Sequence, residues 1–267
     1  MAGYDEKMGR NEIIKEYRKL GKRNYRKKSG KIILEGYHLL EEALKAGIEL
    51  ETILFTDEFQ QKAVNRELLA CARKSGSIKV SSQKFKEIAQ TESPQGVGAI
   101  ARLPRPAAVP AFENCHFILI LDGLQDPGNL GTIIRTAAGA GIDGIFLLPG
   151  TVDPYNPKAL RASMGGIFHL PVLQIDTVES CCAFLAARNL QLIAADPRGE
   201  IPYYSVDFAR PCAVVIGNEN RGVQKRLLKQ ADIRAYIPLE GKIDALNAAV
   251  AASIFIFEYR RCQHFSC

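Results

Sequence analysis

The apolar positions of this chain fall into two regimes. From residue 117 onward they come as short unbroken runs at 117–121 ("FILIL"), 144–148, 191–195, 213–216 and 234–237. Between these runs, at 131–140, 178–188, 222–230 and 247–261, apolar residues recur with helical spacing. A strand that is apolar on both sides needs cover on both faces, so the alternation predicts a mainly parallel sheet between helices. Before residue 100 the pattern is mixed. Residues 11–28 alternate apolar and basic positions in a helical manner, and "KIILEGYHLLEEALKAG" predicts a strand, a glycine turn and a helix closed by Gly47. "LETILFTD" predicts a strand, "RELLACARKSG" a helix, and "IKVSSQKFKEIAQ" a strand followed by a helix opened by Ser81 or Ser82. The stretch "ARLPRPAAVPAFEN" carries three prolines and little periodicity, and it reads as a linker. The expected organisation is α/β throughout, with one module over residues 1–101, a linker over 102–114 and a second domain over 115–267.

Length and composition are compatible with this division. A chain of 267 residues has room for two cores, and 47% hydrophobic with 24% charged residues is ordinary globular usage. No apolar stretch is long enough to cross a bilayer and the N-terminus lacks a signal-peptide pattern, so the expected location is the cytoplasm. Cysteines stand at 71, 115, 181, 182, 212, 262 and 267 without a C-x-x-C pair, which suggests reduced thiols and neither a zinc site nor a disulfide framework.

Charge adds a partner. The net charge of +6 is modest, but "KEYRKLGKRNYRKKSGK", residues 15–31, has Glu16 as its one acid. Such a block attracts a polyanion and releases its counterions, which nominates Lys22, Arg23, Arg26, Lys27 and Lys28 as RNA contacts. Tyr17 and Tyr25 offer stacking on unpaired bases. A solvated basic helix face gives the same pattern.

Three polar clusters interrupt the apolar framework of the second domain. In "DPGNLGTIIRT", residues 126–136, Pro127 and Gly128 turn the chain and Asn129 can cap a helix. Arg135 then falls near the start of a helix over 131–140, where a cation opposes the helix dipole unless an anion compensates it. A salt bridge or a solvated position answers that, and so does an incoming phosphate, which would engage both the helix amides and the guanidinium. In "AVVIGNENRGV", residues 213–223, Gly217 and Gly222 bracket a polar loop whose backbone can approach a ligand closely, and Glu219 can bind a ligand or backbone amides. In "IPLEGKIDALNAAVAASIFIFEYRR", residues 237–261, Asn247 opens a helix rich in small residues.

In this order and spacing the three clusters resemble the motifs of the SpoU (TrmH) family of RNA 2′-O-ribose methyltransferases, within the SPOUT superfamily. The family's Asn with Arg six positions on is matched by Asn129 and Arg135, its G-x-E-x-x-G loop by Gly217, Glu219 and Gly222, and its I-P segment followed by L-N by Ile237, Pro238, Leu246 and Asn247. The N-terminal part, with "KSGKIILEGYHLLEEAL" and "ESPQGVGAIA", resembles the substrate-binding domain often attached to the family, which has a ribosomal-protein-like α/β fold. The resemblance implies a C-terminal SPOUT α/β domain with a deep trefoil knot, a rarity among folds, which binds S-adenosylmethionine within a homodimer. It implies that backbone around Gly217, Gly222, Ile237 and Leu246 holds the cofactor, with Ala195, Pro238 and Leu239 lining the pocket. Asn129, Arg135, Glu219 and Asn247 would form the catalytic and ribose-binding cluster. Two departures stand out: Ala245 replaces the usual Ser before L-N, and Asn220 a common Gly.

The implied reaction is attack of a ribose 2′-oxygen on the cofactor's methyl group, with no metal. Arg is often assigned as the base, but a guanidinium holds its proton too tightly, so Arg135 is expected to bind the target phosphate and stabilise the developing oxyanion. Large-subunit (23S) rRNA is the favoured substrate, because the accessory domain resembles those of rRNA-directed members. A tRNA 2′-O-methyltransferase and an inactive RNA-binding protein are the alternatives. An ordinary Rossmann enzyme is disfavoured by the missing G-x-G-x-x-G.

Overall fold

Residues 9–71, 75–104 and 109–264 are described by the computed structural model. They divide into one unit built from the chain up to Pro104 with Tyr155–Phe168, and another from Arg105–Pro154 with His169–Cys267. Residues 105–108 of the expected linker and 72–74 of the expected "RELLACARKSG" helix lie outside the described residues.

In the first unit the basic N-terminal segment forms two helices, α1 (Arg10–Lys19) and α2 (Arg23–Ser29), where the sequence pattern predicts one over 11–28. The break falls at Gly21, and Arg26 holds it: its guanidinium donates to the carbonyls of Leu20 and Gly21, 2.9 Å each, satisfying acceptors that a helix end leaves free. Arg26 is 2% exposed, so it is a structural cap and not an RNA contact, which corrects its assignment from the sequence. Tyr17 is corrected likewise. It is fully buried beside Leu20, Ile33, Phe85 and Ile100, and its hydroxyl donates to Glu35 at 3.2 Å, so it has no face to offer a base.

The chain continues through β1 (Lys31–Glu35), α3 (Tyr37–Lys45), β2 (Leu50–Phe55), α4 (Asp57–Gln61), α5 (Ala63–Cys71), β3 (Gly76–Lys79), α6 (Ser82–Ile88) and β4 (Val97–Arg102). Ser81 caps α6 by accepting from the Lys84 amide at 3.2 Å. The described strands form a sheet in the order β1-β4-β2-β3, with β4 antiparallel to both neighbours and β2 parallel to β3. β4 ends at Arg102, inside the stretch that reads as linker. Further along that stretch Phe112 is 1% exposed and meets Phe146 edge-on at 5.0 Å, so its end is core.

The second unit contains the five strands and four helices that its apolar pattern predicts, and adds two short, partly exposed strands at Val172–Gln174 and Ile201–Pro202 that no apolar run announces. Its elements are β5 (Phe117–Leu121), α7 (Pro127–Ala140), β6 (Gly144–Leu147), β7 (Val172–Gln174), α9 (Val178–Ala187), β8 (Gln191–Ala195), β9 (Ile201–Pro202), β10 (Cys212–Ile216), α10 (Lys225–Gln230), β11 (Ile233–Tyr236) and α11 (Ala248–His264). The intervening helix α8 (Pro157–Ser163) belongs to the first unit. The sheet order is β7-β6-β5-β10-β8-β11-β9 and its pairings are parallel. Both faces are covered: Ile118 and Ile120 pack with Phe146, Leu192 and Val215. On the other face Phe117 stacks on Tyr259 of α11 at 4.3 Å. From β5 the chain winds one way through β6 and β7 and then returns to build the other half, so the order reverses between β5 and β10. Loops leaving the carboxyl ends of two such strands diverge and open a crevice, the usual ligand position in an open α/β sheet.

Candidate active site

The loop after β5 and the loop after β10 carry the first two clusters. Helix α7 begins four residues before the expected 131, because Asp126 caps it and Pro127 occupies its first turn. The Asp126 carboxylate accepts from the Asn129 amide at 2.8 Å, so Asp126 and not Asn129 is the cap. Arg135 consequently lies more than two turns inside the helix, away from the positive end of its dipole, and the dipole argument for a bound anion does not hold. Its side chain is exposed, flanked by exposed Thr132 and Gly139, and among the described residues it makes no hydrogen bond or ion pair.

The freed Asn129 side chain joins the other clusters. Its Nδ2 donates to Glu219 at 3.1 Å and its Oδ1 accepts from Asn247 Nδ2 at 3.0 Å. Asn247 Oδ1 in turn caps α11 by accepting from the amides of Ala249 and Val250, at 2.8 and 3.4 Å. The Glu219 carboxylate also accepts from the amides of Gln125 and Asp126, 3.3 Å each. A carboxylate is acceptor-only, so it fixes which end of the Asn129 amide faces it and thereby the orientation of Asn247. Partial desolvation pushes the Glu219 pKa up, but the hydrogen bonds from its own amide, Asn129, Gln125 and Asp126 outweigh it and leave the pKa below the usual carboxylate value. Asn129, Glu219 and Asn247 are thus brought together, while Arg135 makes no hydrogen bond to them.

The Gly217–Gly222 loop is closed on itself. The amide of Asn218 donates to the Gly222 carbonyl at 3.1 Å and the Gly222 amide to the Asn218 carbonyl at 2.9 Å. A Cβ on Gly217 would overlap the backbone of Gly222 and Val223, and Gly222 has φ +67°, so both positions require glycine. Asn218, missed in the sequence, is 7% exposed; its Oδ1 accepts from the amides of Asn220 and Arg221, at 3.0 and 3.2 Å. An Asn opening a polar loop is the available signal for such a turn.

Beside this loop lies a cavity of about 310 Å³ at the carboxyl ends of β8, β10 and β11. Ala195, Gly217, Glu219, Gly222, Ile237, Leu239 and Leu246 line it; Pro238 is exposed and does not. Asp196, also at its wall and also missed, accepts from Arg234 at 2.8 Å and from the Arg198 amide at 3.0 Å. Desolvation raises its pKa but those partners prevail and lower it. In the first unit Lys22, Arg23, Lys27 and Lys28 are exposed, and among the described residues none is ion-paired. Tyr25 is half-buried with Lys19 Nζ 5.7 Å from its ring centre. Burial pushes the thiols of Cys181 and Cys212 up to about 12, so they are unreactive. Among the described residues there is no group of three or more His, Cys, Asp or Glu placed to hold a metal, and no helix long and apolar enough to cross a membrane.

A parallel α/β sheet with a cavity of backbone loops beside its switch point, and an amide and carboxylate cluster on the rim, defines a protein that holds a small organic ligand at the carboxyl edge of its strands. Residues 116–257 match the model of the SpoU rRNA Methylase family and residues 11–99 that of the MRM3-like substrate binding domain. The chain belongs to the SpoU rRNA methylase family. It is 34% identical over 251 residues to the 23S rRNA (guanosine(2553)-2′-O)-methyltransferase RlmP of Bacillus subtilis, covering 94% of this chain and 97% of that protein. It is 29% identical to the 23S rRNA (uridine(2479)-2′-O)-methyltransferase of Streptomyces viridochromogenes, covering 90% and 85%. Among solved structures, the SpoU methyltransferase AviRb from S. viridochromogenes in complex with AdoMet superposes with a TM-score of 0.87 at 27% identity, covering 96% of this chain and 99% of that one. The AdoMet-bound rRNA methyltransferase from Sinorhizobium meliloti gives 0.83 at 31% identity, covering 94% and 95%.

Proposed function

We propose that the protein is an S-adenosylmethionine-dependent methyltransferase that modifies a ribose 2′-hydroxyl of 23S rRNA in the cytoplasm. The observation that carries this reading is the Glu219–Asn129–Asn247 chain, which ties the loop after β10, the first turn of α7 and the start of α11 together beside the cavity that Glu219 lines. The cavity suits the cofactor: Ile237, Leu239 and Leu246 offer apolar contact for a purine, and the glycine loop offers backbone groups unobstructed by side chains. When bound, S-adenosylmethionine supplies a methyl group on a cationic sulfur that an oxygen nucleophile displaces in line.

The residues of the chain position and stabilise. Asn129 and Asn247, with amide directions set by Glu219, present fixed polar atoms to the ribose. Glu219 is ionised at neutral pH and already accepts from Asn129 and two backbone amides, so it acts as an anchor and not as a base. Arg135, exposed and free of partners among the described residues, is a cation able to meet the target phosphate and the charge developing on the 2′-oxygen.

RNA is held by the module over 1–101 through Lys22, Arg23, Lys27 and Lys28, and residues 115–267 form the transferase, apart from 155–168, which pack with the first unit. The transferase carries the family's trefoil knot and works as a homodimer. Val250 and Phe257 on α11 are 48% and 56% exposed and seven residues apart, an apolar stripe suited to a second copy. Titration calorimetry with S-adenosylmethionine is the test: saturable binding to the whole protein, abolished by Gly217→Val, supports the reading, and no binding refutes it.

A further inference from the structure

Gly123 connects β5 to Gln125, Asp126 and the first turn of α7 with Asn129, and side chains hold it by both its amide and its carbonyl. Its amide donates to Thr151 Oγ1 at 3.1 Å, and the same hydroxyl donates to the Leu121 carbonyl at 3.0 Å. Its carbonyl accepts from Asn218 Nδ2 at 2.7 Å. Gly123 itself has φ +71°, a conformation that glycine adopts without strain. Thr151 comes from the loop after β6, outside the three clusters, is 9% exposed, and is seconded by the Val152 amide on the Leu124 carbonyl at 2.8 Å. Neither Thr151 nor Asn218 bonds to Asn129, Glu219 or Asn247 through its side chain.

We infer that Thr151, with Asn218, is a positioning residue for methyl transfer, fixing the Gly123 peptide so that the Gln125 and Asp126 amides meet Glu219 and Asn129 is aimed at the ribose. The two grips act on one hinge. Loosening either lets the 123–129 segment shift, and a displacement of about 1 Å at a reacting group costs on the order of 100-fold in rate. The cofactor cavity, whose wall includes Asn218 but not Thr151, is left in place when the Thr151 grip is the one loosened.

This rests on the proposed transferase activity, so the test has one arm that does not. Thr151→Val keeps the shape and removes the hydroxyl; Thr151→Ser keeps the hydroxyl. With 23S rRNA lacking the modification as substrate, T151V is expected to lower kcat by roughly 10- to 100-fold with the Kd for S-adenosylmethionine changed less than about 3-fold, and T151S to restore kcat. Wild-type kcat in T151V, or equal impairment in T151S, overturns the inference. Should T151V fold poorly, Asn218→Asp, which keeps the acceptor oxygen for Asn220 and Arg221 but cannot donate to Gly123, is expected to lower kcat at saturating S-adenosylmethionine by a similar factor, and wild-type kcat in it overturns the inference; as Asn218 also lines the cavity, no constancy of cofactor affinity is expected of that variant. Hydrogen exchange over residues 121–130, read without substrate, is expected to accelerate in T151V and not in T151S. Unchanged exchange overturns the inference even if the wild-type protein transfers no methyl group, a result that by itself would instead remove the proposed function.

Discussion

Glu219 and Arg135 are both exposed polar residues, yet they stand in opposite relation to the chain. Glu219 accepts from Asn129 and from two backbone amides and its pKa is depressed, so the stability these hydrogen bonds contribute is fully present above the ordinary carboxylate range, about 4.3, and is lost as pH falls through the lower folded value. The carboxyl carbon of Glu219, followed by NMR, is expected to titrate with a midpoint below that of free glutamate; a midpoint at or above it would refute the anchor. Arg135 has no partner to lose among the described residues. Arg135→Ala should leave stability within about 0.5 kcal/mol while reducing single-turnover methyl transfer by roughly 100-fold or more. Arg135→Lys should not restore the rate, since an ammonium lacks the planar fork. A fully active Arg135→Lys enzyme contradicts that role. Local residue type left Asn129 a candidate cap and Glu219 undecided; the likeness of their segments to family motifs is what grouped them with Asn247, and that the three side chains meet is seen only in the fold. Asn218, Asp196 and Thr151 were not legible in the sequence, because what distinguishes them is whom they meet across the sheet.

At the scale of elements, the buried strands of the second unit were plain from unbroken apolar runs, and Asn247 from its place before an alanine-rich helix. Two boundaries went astray for physical reasons. Apolar periodicity starts at Leu130, but the helix starts where a proline and a capping carboxylate permit it, at Asp126 and Pro127. In α1 and α2, charge type alone separates nothing: Arg26 looks like its neighbours until the chain turns at Gly21 and closes over it. That difference is measurable. Arg26→Ala should destabilise the protein by about 1–3 kcal/mol, since buried carbonyls lose a charged donor, while Lys27→Ala should leave the melting temperature unchanged. RNA affinity should fall in Lys27→Ala. Equal melting temperatures for the two variants would contradict the capping role.

For the molecule as a whole, the basic module and the transferase belong to one activity if RNA is the shared substrate. Replacing Lys22, Arg23, Lys27 and Lys28 by Ala should weaken 23S rRNA binding and flatten its salt dependence, by roughly 0.7–0.9 in the log–log slope for each phosphate that is no longer neutralised. S-adenosylmethionine affinity should be unaffected, and an unchanged slope would remove the module from RNA recognition. The methylated atom is identified from the product of the reaction. Unmodified 23S rRNA is incubated with the purified protein and isotopically labelled S-adenosylmethionine, digested to nucleosides and analysed by mass spectrometry. The label is expected in a single ribose 2′-O-methylated nucleoside, and to vanish with Asn129→Ala. Label on a base, or none on RNA at all, would contradict ribose 2′-O-methylation by this protein.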